Sequence, residues 1–365
     1  MLRLTSSILA SLVSFLLLVP IAEAQIEITE SDQRTLVGER EAIQVFAAES
    51  PSSFSSFFTQ EGEDLTFDFT PHGYEVDFSG VQQAWEAQNA PSDIPFLPHF
   101  AGRGANVVIE TRFQAERTEA TDSTSWQFFE VTSSEATLQG FGAVFSQDID
   151  QDGDQPDSIR ADWEPPRIIT PFPLNFEDEW EQKTDLSFSV PLLPIRRSDR
   201  KNEIDAWGTL ETPVGTAPAL RRREETADTT STPLGEEITR STTLQYITKD
   251  GRLGASITRD DDTGEITGAG LVVRADEGQT AQVDQGQTPT LDGPGARVEF
   301  TEASSTDGTL GINRFDTPPF NNAFSGSAAS DDGTTVAPNV VWEGRYFVVQ
   351  NQGLSNFSAD VCLDI

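Results

Sequence analysis

The sequence predicts an all-β protein of two or three β-sandwich-like modules with one or two short peripheral helices, and three observations predict it. Apolar residues alternate with period two at Val107/Ile109/Phe113, Trp126/Phe128, Leu186/Phe188/Val190, Val298/Phe300 and Tyr346/Val348, the spacing that turns one face of a strand toward a core. Gly, Pro, Asp or Ser punctuates most of these runs, as turns between strands require. The 24 Phe and 6 Trp are spread along a chain that is 36% hydrophobic, so sheets have apolar surface to bury despite the charge.

Residues 1–24 read as a secretory signal peptide: Arg3 supplies the charged start, Ile8 to Ile21 the apolar run, and Ala22-Glu23-Ala24 the small-x-small cleavage site. That run is shorter than a membrane span, and no later segment approaches such a length, so no transmembrane segment is expected. In the mature chain the best helix candidate starts at Ser50-Pro51 and continues through Phe54, Phe57 and Phe58 at i, i+3, i+4. A second short helix is expected over Val81–Gln88. Hairpin turns are expected at Asp250-Gly251 and at Asp262-Thr263-Gly264, before Ile266. The prolines from Pro165-Pro166 to Pro173, and the loop-like stretch Ala275–Pro294, divide the chain into an N-terminal β domain (25–165), a central β-meander domain (166–275) and a C-terminal β-sandwich-like domain (276–365).

Several of these segments resemble those of a family of uncharacterised secreted all-β proteins of Gram-negative, Bacteroidetes-type bacteria. The matching segments are Thr170-Pro171-Phe172-Pro173-Leu174-Asn175-Phe176-Glu177-Asp178-Glu179-Trp180, Val76-Asp77-Phe78-Ser79-Gly80, Trp126–Leu138, the hairpin from Asp205 to Thr216, and Ala219–Glu225. Together they span about residues 65–275. The resemblance implies a secreted β scaffold, in a family of which many members use type IX secretion. It supplies no catalytic residues, and an obvious C-terminal sorting domain is lacking here.

Sixty Asp+Glu against 24 Lys+Arg give a net charge of −36, and the leader removes one base and one acid, leaving it unchanged. Nucleic acid is therefore not an expected partner, since a phosphate backbone needs a basic face. Only Lys183, Lys201 and Lys249 are lysines, and the acids are spread along the whole length. Such a surface suits a salt-loving host, where screening relieves self-repulsion; codon bias in a high-GC genome is the alternative. Cys362 is the only cysteine, which rules out an internal disulfide and a multi-Cys metal site.

The sharpest chemical signal is the run Asp148, Asp150, Asp152, Gly153, Asp154 with Asp157 beyond it. Carboxylates at alternate positions around a glycine suit Ca²⁺, which takes roughly six to eight oxygens. However, position twelve is Ile159, where a bidentate Glu belongs, and position nine is Pro156. The run reads either as a Ca²⁺ loop between strands or as a solvated acidic turn. His72 and His99 are the only histidines, and no Gly-x-Ser-x-Gly elbow accompanies them, so neither a His-rich zinc site nor a serine-nucleophile triad is indicated. Two basic islands, Arg196-Arg197 with Arg200-Lys201 and Arg221-Arg222-Arg223, read as surface ion pairs on adjacent strands, or as an anion or polysaccharide contact.

The expected protein is secreted, to the periplasm, outer envelope or medium. It is non-catalytic and acts in binding or surface structure, with a polysaccharide or cell-surface partner. An extracellular carbohydrate-active enzyme or carbohydrate-binding module is the alternative, because a carboxylate pair leaves no sequence signature. Two carboxylates in one groove beside an exposed Trp would favour it.

Overall fold

In a computed structural model of the chain, the residues described are 26–34, 37–38, 40–115, 123–145, 157–190, 195–232, 235–249, 251–274, 277–293, 296–315, 328–329, 335–336, 346–352, 356 and 358–363. Strands dominate and the helices are short, so the all-β class holds. In order, the first part of the chain forms α1 (Glu30–Arg34), β1 (Arg40–Ala48), a 3₁₀ helix (Pro51–Thr59), β2 (Gly62–Asp68), β3 (Tyr74–Glu86), α2 (Leu97–Ala101), β4 (Val107–Ala115), β5 (Ser123–Val131) and β6 (Glu135–Phe145). It continues with β7 (Asp157–Pro171), β8 (Glu179–Phe188), β9 (Arg196–Thr212), β10 (Gly215–Thr232), β11 (Gly235–Thr248), β12 (Leu253–Asp260) and β13 (Ile266–Arg274).

All thirteen strands share one sheet, in which β10 bonds both β9 and β11. Leaving out β2, the other twelve form a ring, β1-β3-β4-β5-β6-β7-β8-β9-β10-β11-β12-β13 and back to β1, with every pairing antiparallel. Arg167 on β7 reaches Glu224 on β10 at 3.0 Å, although β8 and β9 lie between them in the order. These two side chains therefore meet across an enclosed lumen. About eight strands make a barrel that side chains just fill, so a ring of twelve has room for more than a packed core.

Part of that space is taken by the chain itself. Ile28 pairs with Leu174, and both are packed with Ile204, Trp207 and Leu220. Arg34 of α1 donates to the Val131 carbonyl at 2.9 Å and to Glu86 at 2.8 Å, fixing the N-terminal segment at that end of the ring.

Two outer faces are covered. The 3₁₀ helix lays Phe54, Phe57 and Phe58, with Phe67 and Phe69 from β2 and its end, over Leu210, Leu244, Tyr246, Ile257 and Leu271. Pro51 starts this helix at the expected place, while Ser50 makes no side-chain cap. Each buried Phe contributes about 2–3 kcal/mol. On the other face, Ile94, Leu97 and Phe100 cover Val108, Trp126 and Phe128.

The expected helix over Val81–Gln88 is not formed. Its residues up to Glu86 belong to β3, whose Gln82 is opposite Glu41 on one side and Thr111 on the other. Two flanking strands satisfy that backbone, and only Ala87–Asn89 makes a 3₁₀ turn. Both hairpins form as expected, joining β11 to β12 and β12 to β13; Asp250 lies outside the described residues. In the second, Asp260 accepts bonds from the Asp262 and Thr263 amides and Gly264 has φ +77°, a conformation glycine adopts without strain.

The expected division at residue 166 falls inside β7, which pairs with β6 on both sides of it. There the β6–β7 register shifts, and the β7–β8 pairing ends at Glu164. Beyond Arg274 the strands belong to other sheets. These are β14 (Glu277–Val283), β15 (Thr290–Gly293), β16 (Ala296–Glu302), β17 (Gly308–Phe315), β18 (Ala328–Ala329), β19 (Thr335–Val336), β20 (Tyr346–Gln352) and β21 (Ser358–Leu363). Sheets β14-β17-β20 and β15-β16-β21 share a core of Val283, Leu291, Val298, Phe300, Leu310 and Ile312. Cys362 is exposed on β21.

No helix among the described residues is long and apolar enough to cross a membrane. On β8, the exposed positions Glu179, Glu181 and Lys183 alternate with inward ones, whereas a membrane-spanning barrel carries an apolar band on its outer face.

Candidate functional site

Three consecutive arginines in one strand must use both faces of the sheet. Arg221 faces outward beneath the 3₁₀ helix, where it is fully buried. It donates to Asp205 at 2.8 and 3.0 Å and to the Phe57 and Gln60 carbonyls. Arg223 joins it on Asp205 at 2.7 Å. Arg222 faces the lumen and is 6% exposed. The expectation of surface ion pairs holds for Arg196 and Arg197, which pair with Asp228 and Asp185, and is corrected for Arg221 and Arg222, which are buried because the outer face is roofed and the inner one is enclosed.

In the lumen, Arg167, Arg200 and Arg222 gather around Glu224. Arg200 donates to Glu224 at 2.6 Å and Arg167 at 3.0 Å, while Arg222 donates to the Ile169 carbonyl at 2.6 Å and to the Gln245 side-chain oxygen. Arg167 and Arg200 each place a guanidinium 5.9 Å from the ring centre of Trp163, a cation–π distance. Burial lowers the Arg222 pKa to about 10 against the pull of Glu224, with Arg167 and Arg200 pushing the same way as burial. Burial likewise lowers Arg200. The Glu224 carboxyl lies below its ordinary value: burial raises it, but the three arginines outweigh that.

Beside this cluster is a cavity of about 240 Å³, lined by Val107, Ile109, Phe129, Ala84, Gln127 and Ile169 among others. Its polar wall includes Arg274, which donates to Glu41 at 2.8 Å and Gln82 at 2.7 Å. Ile169 belongs to both features, since its carbonyl holds Arg222. The arrangement offers apolar volume next to concentrated guanidinium donors, which is binding chemistry.

A second concavity, about 420 Å³, lies on the outer face and is lined by Trp85, Asp93, Glu110, Arg112 and Trp126 among others. Glu110 is held by Trp126 Nε1 at 2.9 Å and Arg112 at 2.5 Å.

Of the expected metal ligands, Asp148, Asp150, Asp152 and Asp154 lie outside the described residues, and Asp157 is the first residue of β7, opposite Phe145. Among the described residues no group of three or more His, Cys, Asp or Glu is placed to hold a metal ion. His99 bonds Asp162 at 2.7 Å, and Asp162 also receives Arg160 at 3.0 Å. His72 stacks on Phe54 at 3.8 Å and bonds Ser53 at 2.9 Å. The Ser53 hydroxyl proton goes to the Ser50 carbonyl at 2.7 Å, and His99 bonds a carboxylate rather than a hydroxyl. Trp163 and Trp207 are buried, so neither offers its indole as an exposed stacking face for a sugar.

Sequence reasoning missed the lumen cluster. The signal available was the arginine triplet inside a strand of so acidic a chain. No family model, curated protein or solved structure matches the chain.

Proposed function

We propose that this is an exported, non-catalytic binding protein of the envelope or extracellular space that holds a small ligand in the lumen of its twelve-stranded barrel. The observation that carries the reading is the cavity beside a buried polar cluster inside a closed ring. Ligand sites characteristically combine an apolar concavity with a few placed polar groups. The secretory leader and the resemblance to secreted β proteins support export. The test is native mass spectrometry of protein purified from its own host, before and after unfolding. A small molecule should be released from the unmodified protein and be missing from Ala84→Trp, which fills the cavity. Equal release from both would contradict the reading.

The outer groove supports a second reading, an extracellular carbohydrate-binding module or carbohydrate-active enzyme. Asp93 and Glu110 share that groove with a half-buried Trp85. Glycan-array binding that is lost in Trp85→Ala, with the lumen variant unaffected, would favour it. Hydrolysis abolished by Asp93→Asn or Glu110→Gln would make it an enzyme.

A further inference from the structure

We infer that the lumen binds a small oxyanion, a carboxylate, phosphate or sulfate group, between Arg167, Arg200 and Arg222 against the indole of Trp163. The inference rests on the reading of the lumen as the ligand space and names the chemistry of the ligand.

The first support is charge. Three guanidiniums share one carboxylate, which accepts from two of them, and the next carboxylate along β10 on this face, Asp228, is balanced by Arg196. Among the described residues Arg222 donates to neutral groups, a backbone carbonyl and an amide, and Glu224 acts on it through the field alone. A buried cation left with neutral partners is costly. Water can satisfy its hydrogen bonds but not its charge. In a molecule of −36, an interior with an excess of cations is the reverse of the surface, and a bound anion would balance it.

The second support is the donors. The Nε of each of the three arginines is buried and has no hydrogen-bond partner among the described residues, and the same holds for Trp163 Nε1, Ser198 Oγ and Thr184 Oγ. Arg222, nine-tenths buried, is among them. The register draws these groups together. Thr184 is opposite Ser198 and Gln182 opposite Arg200 on β8 and β9, while Arg200 is opposite Thr226 and Arg222 opposite Ile204 on β9 and β10. Asn202 Oδ1 on β9 and Asp228 Oδ1 on β10 are unpartnered among the described residues too, but buried polar groups are nearly always satisfied and the donors outnumber these acceptors, so the set points to an acceptor-rich ligand. Guanidinium forks match the planar or tetrahedral oxygens of oxyanions in both spacing and charge.

The third support is the cavity, which shares Ile169 with the cluster. Neither the three arginines nor Trp163 lines the cavity itself, so an organic acid with its anionic end on the arginines would have to run its body past Ile169 to reach it. Inorganic phosphate or sulfate would use the anionic part alone.

The test is thermal unfolding of the full mature chain with sulfate, phosphate or hexanoate, each against chloride at matched ionic strength. At least one oxyanion should raise the melting temperature above chloride in a saturable way, and the arms separate inorganic from organic sources. Arg200→Gln should weaken the apparent affinity by about tenfold, the scale of one charge-assisted contact. Glu224→Gln, which removes the competing carboxylate, should strengthen it several-fold. A purely structural ion network would move the basal melting temperature in both variants and leave the oxyanion response unchanged. That outcome, or no difference between oxyanions and chloride in the unmodified protein, overturns the inference. If Ala84→Trp loses the natural ligand while no oxyanion acts, this inference alone fails. If sulfate acts and no natural ligand occupies the cavity, the cavity reading alone fails.

Discussion

Arg221 and Arg222 are neighbours in β10, and each is buried for a different reason. Arg221 is sealed under the 3₁₀ helix against Asp205, Phe57 and Gln60, so Arg221→Ala would strand a buried carboxylate on Arg223 alone and cost about 3 kcal/mol. Urea unfolding should show that loss, and Asp205→Asn added to it should cost much less than a second full penalty. His72 gives a pH signature. Burial against the helix is the larger influence and lowers its pKa, with Asp68 opposing. A lowered histidine means the unfolded chain takes up the proton first, so its contribution is complete above the ordinary value of 6.5 and declines as pH falls toward the folded value. Replacing it in His72→Phe should flatten the fall in melting temperature between pH 7 and 5 relative to the unmodified protein. At this scale little was legible: in Arg221-Arg222-Arg223 every position is charged, so alternation, which reads apolar against polar, carries no information about which side chain faces inward.

Elements were far more legible. The run Leu244–Thr248, the Gly264 turn and the Pro51 start announce themselves because local turn chemistry and period-two spacing suffice to make them. Val81–Glu86 misled because its residues gain their partners from β1 and β4, remote in sequence. The parallel pairing of β2 on β9 was equally hidden, yet it explains Gly208. A Cβ there would lie 1.9 Å from the Leu65 carbonyl oxygen, so Gly208→Ala should expel β2, uncover Phe67 and destabilise the protein by about 3 kcal/mol or more. Hydrogen exchange should accelerate in the β2 amides first. The acidic run preceding β7 carries a separate proposal, weak Ca²⁺ binding through Asp148, Asp150, Asp152, Asp154 and Asp157. A calcium-dependent rise in melting temperature at fixed ionic strength should vanish in Asp150→Ala/Asp152→Ala. Identical melting in calcium and chelator would leave only a solvated turn.

For the whole molecule, composition spoke clearly about charge and not about closure. A net −36 predicts self-repulsion that salt relieves, so the melting temperature should climb as potassium chloride rises toward roughly 1 M, where screening acts over about 3 Å. A flat profile would remove the halophilic reading. Ring closure depends on β1 meeting both β13 and β3, and the first of these pairings joins residues more than two hundred positions apart, beyond the reach of local pattern. It is closure that turns Arg167, Arg200 and Arg222 from strand decoration into a buried site.

In the proposed site these arginines face a ligand space and bind an oxyanion through nitrogens that have no partner among the described residues. Side-chain ¹⁵N NMR of the arginine Nε–H groups tests it most directly, with assignments from single Arg→Lys variants. The Arg167, Arg200 and Arg222 signals, slow to exchange because they are buried, should shift together and saturably when sulfate, phosphate or hexanoate is added, while the Arg221 signal stays in place. Signals for the three that do not move with any of these anions, at ionic strength matched by chloride, would contradict it.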